Sequence, residues 1–192
     1  MLGGASGTGK TAVSYRLAQY FGVGLTEVDD FQVLLEFMTT PEQQPALHFW
    51  RTHPDPGRLT ATEIMEQGLT VGQVMAVGLE AVIANHLESH APVVLEGDFI
   101  HPALAVRKYF AGEPNDGRVR ALFLHEEDEQ QLLANFSQRE PDQGLQTKRA
   151  RVSWLYAQWL KHEAAQYGLP ALPARPWDTV FERAIAAVSE GD

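Results

Sequence analysis

The chain has 192 residues, no cysteine and a formal charge of −10. That excludes disulfide and thiolate–metal chemistry and argues against a broad nucleic-acid footprint, which needs a basic face. The apolar fraction of 44% and charged fraction of 21% are those of a globule able to bury a sizeable core. No run approaches the ~18 apolar residues of a membrane span, so the expectation is one cytoplasmic domain over 1–192 that engages neither membrane nor nucleic acid.

Gly4-Ala5-Ser6-Gly7-Thr8-Gly9-Lys10-Thr11 fits G-x-x-x-x-G-K-[ST] at every fixed position. Its glycines let the backbone turn tightly and bring N–H groups up to phosphate oxygens. Lys10 reaches β- and γ-phosphates as a compact charge, and the Thr11 hydroxyl suits Mg²⁺. A helix from Lys10, with Val13, Leu17 and Tyr20/Phe21 at helical spacing and Gly22 to close it, aims its positive end at the same phosphates. The motif needs a buried strand before it, and only Met1-Leu2-Gly3 is at hand. Either that strand is clipped or it is unusually short, and these three residues are expected inside the sheet as a short central strand.

Residues 23–28 (VGLTEV) predict a strand ending at Asp29-Asp30, and 31–38 a helix with Asp30 as its N-cap. Residues 39–59, with four prolines, predict an irregular loop. A loop of ~20 residues is uncommon in a compact domain unless it is functional. It is therefore the candidate substrate-side flap, carrying His48, Phe49, Trp50, Arg51, His53 and Arg58. The competing reading is that Phe49 and Trp50 only pin it to the core. Thr60 and Glu63 spell a capping box for a helix from about 61. Gly68 is expected to interrupt it, with Thr70 capping a second helix to about 89 that buries Val71, Val74/Met75 and Val82.

Residues 92–96 (PVVLE) predict a central parallel strand running into Glu96-Gly97-Asp98. A helix is expected over 102–110, a turn over 112–117 and a strand over 118–124. Glu126, Glu127 and Asp128 then favour a helix N-terminus electrostatically, which does not make them a metal site. That helix stops near Arg139-Glu140-Pro141, and after a polar loop a long helix spans 148–167, its Tyr156 and Trp159 reading as core. A last strand over 169–172 and a helix capped by Asp178 complete an alternation that predicts a three-layer α/β/α fold with a five-stranded parallel sheet. Ligands of such sheets bind outside the carboxyl ends of the strands.

Phosphoryl transfer asks mainly for positioning and charge neutralisation. Asp29 is the candidate base, with Asp30 the helix cap or a substrate contact. Glu96 and Asp98 are candidates for Mg²⁺ together with Thr11, undecided between the two. Arg139, Arg149 and Arg151 flank the polar loop as a lid over 139–151, although each alone reads as ordinary helix surface. His48, Arg51 and Arg58 would suit an anionic acceptor if their loop folds over the site.

GGASGTGKT followed by a strand ending VDDF resembles the P-loop small-molecule kinases of the adenylate kinase-like group. The order VLEGDFIHP, NFSQRE…KRARVSWLYAQWL, GLPAL is, within that group, most similar to 2-phosphoglycerate kinase and its relatives. The resemblance implies a P-loop NTPase fold with a helical lid, Asp29 facing the acceptor hydroxyl, and the loop around Arg175 against adenine. The chain lacks D-G-[FY]-P-R, so a nucleotide acceptor is not supported, and it lacks the GTPase signatures N-K-x-D and D-x-x-G. The expected activity is an ATP- and Mg²⁺-dependent phosphotransferase acting on a small-molecule hydroxyl, as monomer or homodimer. The alternatives are a P-loop ATPase or nucleotide-binding regulator acting on a protein partner, and a member that binds nucleotide without turnover.

Overall fold

The computed structural model describes residues 1–144 and 146–189; Leu145, inside the expected lid, and 190–192 lie outside the described residues. Seven strands occur among the described residues: β1 (Leu2–Gly4), β2 (Gly24–Glu27), β3 (Val93–Gly97), β4 (Tyr109–Phe110), β5 (Glu113–Pro114), β6 (Leu122–His125) and β7 (Ala171–Pro173). Five form one parallel sheet in the order β2-β3-β1-β6-β7, while β4 and β5 make a separate antiparallel hairpin. The short central strand expected over residues 1–3 is present one residue later, as Leu2–Gly4: Leu2 lies opposite Glu96 on one side and Leu122 on the other. The ladder gains one more bond where Leu122 N–H donates to Met1 O at 3.0 Å. Strands buried on both faces read as apolar runs, and every residue of β6 is buried.

The helices are α1 (Lys10–Phe21), α2 (Val28–Met38), α3 (Pro45–Thr52), α4 (Ala61–Glu88), α5 (Pro102–Ala105), α6 (Glu129–Arg139), α7 (Thr147–Gln166) and α8 (Val180–Ser189). α1 and α8 cover one face of the sheet, where Val13, Leu17, Leu122, Leu124 and Val180 pack together. α4 and α7 cover the other, where Met75, Leu79 and Ile83 meet Leu95, Phe123 and Leu160. α4 is long and apolar enough to cross a membrane by length and composition, yet its Val71, Met75 and Leu79 are core residues at most 1% exposed.

Five expectations about local structure are corrected. Residues 39–59 are not irregular: α3 begins with Pro45 in its first turn, where proline's fixed φ suits a helix, and a 3₁₀ turn spans Pro56–Arg58. Gly68 does not break α4. A helical glycine costs about 1 kcal/mol, whereas each buried Val, Met or Leu beyond it contributes about 1.5–3 kcal/mol. Thr70 accordingly donates to Glu66 O inside the helix and does not cap a new one. Asp30 is not an N-cap, because α2 starts at Val28 behind an extended Glu27 and places both aspartates in its first turn. The helix expected over 102–110 ends at Ala105, where Val106 leaves helical geometry at φ −94° and ψ 6°; Tyr109 and Phe110 are already strand, and Ala111 and Gly112 at φ 46° and 97° turn the chain into the hairpin. Asp178 likewise falls inside a 3₁₀ turn, Trp177–Thr179, that leads into α8. The capping box is formed as expected, with Glu63 N–H donating to Thr60 Oγ1 and the Glu63 carboxylate accepting from Thr60 N–H.

Candidate active site

The turn between β1 and α1 is tied by Thr8, whose hydroxyl donates to Ala5 O at 2.8 Å. Gly9 stands before α1 at φ 87°, a left-handed backbone that L side chains rarely adopt. The Trp177 ring lies against it so closely that a Cβ there would be 2.4 Å away.

Lys10 follows and is buried. Its Nζ is 2.5 Å from Asp98 Oδ1 and 3.4 Å from Glu96 Oε1. Thr11 Oγ1 donates to the same Glu96 oxygen at 3.3 Å. Burial pulls the Lys10 ammonium down, but the charges of Asp98 and then Glu96 outweigh it and leave its pKa above the ordinary lysine value. Burial also pushes the Glu96 carboxyl up, against the pull of Lys10. Lys10, Thr11, Glu96 and Asp98 thus meet at the carboxyl ends of β1 and β3, with Glu27 of β2 in register beside Glu96.

Asp29 adds a further carboxylate from the first turn of α2. It is held above the usual carboxylate range, first by partial removal from water and then by the Asp98 charge, although the residue as a whole stays exposed. Asp30 is exposed next to it. Behind them, buried Tyr156 of α7 donates its hydroxyl to Asp98 O. Its phenol is pushed up by burial, then by Asp98 and Asp29. Buried His101 lies with its ring 4.9 Å from Trp159 and its Nε2 against Gly72, where a Cβ would stand 2.1 Å from that nitrogen. Burial lowers its pKa to about 4.

Two of the three lid arginines stand beside the phosphate loop. Arg139 and Arg149 both pair with Glu140, at 2.8 and 2.6 Å. Their guanidinium carbons sit 5.2 and 4.4 Å from the centre of the Phe136 ring. That ring rests on the loop, since a Cβ on Gly7 would be 3.0 Å from it. Arg151 is elsewhere, paired with Glu129 at 2.8 Å and stacked on Trp154 at 4.6 Å. Arg175 donates weakly to Asn135 Oδ1 at 3.5 Å, and Asn135 Nδ2 donates to Gly7 O at 2.8 Å.

The substrate-side residues are spread out. His48 is buried, and its Nε2 lies 3.2 Å from Thr39 Oγ1; because that hydroxyl donates to Leu35 O, the imidazole is the donor of the pair. Arg58 is exposed and paired with Asp55 at 2.8 Å, and Arg51 is exposed in the last turn of α3. Among the described residues, no hydrogen bond or ion pair links these three to Lys10, Asp29, Glu96 or Asp98. A cavity of about 620 Å³ lies at the opposite end of the sheet, between Leu17, Ile83, Val94 and Leu122, and contains none of the site residues.

Sequence reasoning missed Asn135, Phe136, Tyr156 and Trp177 as site neighbours. The available signal was spacing, because i, i+3 from Phe136 to Arg139 puts the guanidinium over the ring.

No protein-family model and no curated protein sequence matches this chain. Among solved structures it is similar to a gluconokinase from Sinorhizobium meliloti 1021, at 18% identity, covering 98% of this chain and 89% of that one, with a TM-score of 0.51. It is also similar to a protein from Chloroflexus aurantiacus J-10-fl assigned as a kinase, at 14% identity over 96% and 91% of the two chains, with a TM-score of 0.50. At these identities the likeness is one of fold. With the parallel β2-β3-β1-β6-β7 sheet and the phosphate loop between β1 and α1, this chain has the P-loop NTPase fold.

Proposed function

We propose that the chain is an ATP- and Mg²⁺-dependent phosphotransferase acting on a hydroxyl of a small molecule in the cytoplasm. The carrying observation is the convergence of Lys10 and Thr11 on Glu96 and Asp98, with the Asp29 carboxylate coupled to the same cluster. In this reading the loop amides of residues 4–11 and Lys10 hold the phosphates. Thr11 and Glu96 share one hydrogen bond and an all-oxygen donor set, which fits Mg²⁺. Among the described residues there is no cage of three or more acidic or histidine groups; Mg²⁺ in such sites uses one or two carboxylates with substrate phosphates and water. When bound, the ion neutralises phosphate charge.

Asp98 then serves as the counter-ion that Lys10 leaves when phosphate arrives. Asp29 takes the proton of the acceptor hydroxyl, and burial, which raises its pKa, makes it a stronger base than a free aspartate. Arg139 and Arg149 move from Glu140 to the transferring phosphoryl, while Arg175 and Trp177 flank the adenine side. Arg151 must leave Glu129 to take part. An anionic acceptor of the kind the 2-phosphoglycerate kinase resemblance suggests requires Arg51 and Arg58 to turn onto the site.

A regulator or ATPase acting on a protein partner is the second reading. It is favoured by the exposed apolar stripe Val33, Leu34, Phe37 and Met38 on α2, where Phe37 is 87% exposed. A panel of hydroxylated metabolites assayed for ATP-dependent phosphorylation separates the two. The kinase reading expects ADP formation to rise with one acceptor class and to vanish in Lys10→Met with the fold intact. Undiminished turnover in Lys10→Met would sink it, and ADP formation indifferent to every acceptor would favour the regulator.

A further inference from the structure

Lys148 and Arg149, adjacent in the first turn of α7, are tied to two different parts of the chain. Arg149 belongs to the group on Phe136 and the phosphate loop. Lys148 Nζ instead donates to Gly57 O at 2.7 Å and Leu59 O at 3.1 Å. Those carbonyls bracket Arg58 in the 3₁₀ turn between α3 and α4, the segment expected to face the acceptor. Two of the three ammonium donors are thus spent on main-chain oxygens more than 85 residues away. An N⁺–H···O bond of this kind is stronger than a neutral one. Among the described residues, the turn's other ties are local: Asp55 N–H to His53 Nδ1 and Arg58 N–H to Asp55 O, each at 3.2 Å, and the Arg58–Asp55 ion pair.

We propose that Lys148 is a positioning residue that fastens the acceptor-side turn 55–59 to the start of α7, so that the turn and the arginine beside it on α7 are held together around the site. Because the anchors are carbonyls, the bridge does not depend on which side chains occupy the turn. Resting on the kinase reading, its consequence is exclusion of water. With the bridge cut, water replaces the acceptor hydroxyl, attacks the γ-phosphorus and gives up its proton to Asp29. The bond to the β–γ bridging oxygen breaks, and ADP and phosphate leave.

The test uses the whole chain as wild type, Lys148→Ala and Lys148→Arg. An arginine-specific protease reports the exposure of the peptide bond after Arg58, and ADP release with MgATP alone reports the leak. Lys148→Ala is expected to be cut after Arg58 about tenfold faster, the scale of one charge-assisted hydrogen bond, at nearly unchanged melting temperature. Its acceptor-free ADP release is expected to rise several-fold, and Lys148→Arg to restore both. Unchanged cleavage in Lys148→Ala overturns the bridge. Faster cleavage without added ADP release overturns its role in positioning. If wild type phosphorylates no acceptor, the kinase reading fails on its own, and cleavage after Arg58 still decides the bridge.

Discussion

Lys10 and Lys148 each hold two oxygens, and they divide the site into a floor and a rim. Lys10 is buried, faces two carboxylates, and is fixed by a glycine turn, a central strand and a helix start. Lys148 is exposed and reaches two carbonyls of a short turn. Around it, Arg139 is exposed and Arg149 half-buried, both paired with Glu140. Buried charges are expensive to leave unpaired, whereas exposed pairs contribute little to stability. The floor is therefore built once, at folding, while the rim is free to trade partners when ligands arrive.

The sharpest way to break this division is to strain the floor without touching its charges. Gly9→Ala forces a Cβ into the Trp177 ring at a left-handed backbone, and the two penalties sum to about 3 kcal/mol of lost stability. Gly22 has φ 66° but open space around it, so Gly22→Ala should cost only about 1 kcal/mol. Urea midpoints for the two variants give the comparison. Equal losses would mean that the indole does not rest on the loop.

Titration probes the floor next. Folded His101 has a pKa of about 4, against the ordinary 6.5, so between these values the unfolded chain binds a proton that the folded chain refuses. Stability must then fall as pH drops from 6.5 toward 4, by a total approaching about 3 kcal/mol. The raised carboxyls of Asp29 and Glu96 work with the opposite sign, stabilising the fold as pH falls. The measurement is therefore the difference in pH slope between wild type and His101→Asn. A slope that survives in the variant would show that the lost stability comes from other groups.

Asp29 sits where floor meets rim. Asp29→Asn should leave ATP binding intact while transfer drops by a factor of ~10², the scale of a lost general base. Loss of ATP affinity in its place would move Asp29 into the floor.

The floor was largely legible in the sequence because its signals are local. A glycine pattern dictates a turn, PVVLE dictates a buried strand, and Thr60 with Glu63 dictates a helix start. Even the near-absence of β1 was readable as a demand for three residues in the sheet, which Leu2–Gly4 meet. The rim was not legible, because its geometry comes from partners far apart in the chain. Nothing near Lys148 announces Gly57, and nothing near Tyr156 announces the Asp98 carbonyl, so Lys148 reads only as the start of a helix and Tyr156 as core. Residues 39–59 misled for a related reason: prolines mark irregularity on average, but Pro45 falls where a helix accepts one.

The smallest effect belongs to Glu140, which holds Arg139 and Arg149 over Phe136. Those pairs keep its carboxyl below the ordinary range, with the Arg149 hydrogen bond first among the causes. Glu140→Gln keeps the shape and removes the competing negative charge, so both guanidinium groups become more available to phosphate. Nucleotide affinity should tighten only a few-fold at low salt, because exposed pairs are weak, and the gain should fade near 1 M salt, where screening reaches within about 3 Å. Melting temperature should stay where it is. Calorimetric titration with a non-hydrolysable ATP analogue at two salt concentrations reads both effects. Weaker binding at low salt would mean that Glu140 aims the arginines instead of withholding them, and the rim would then share the floor's pre-organisation.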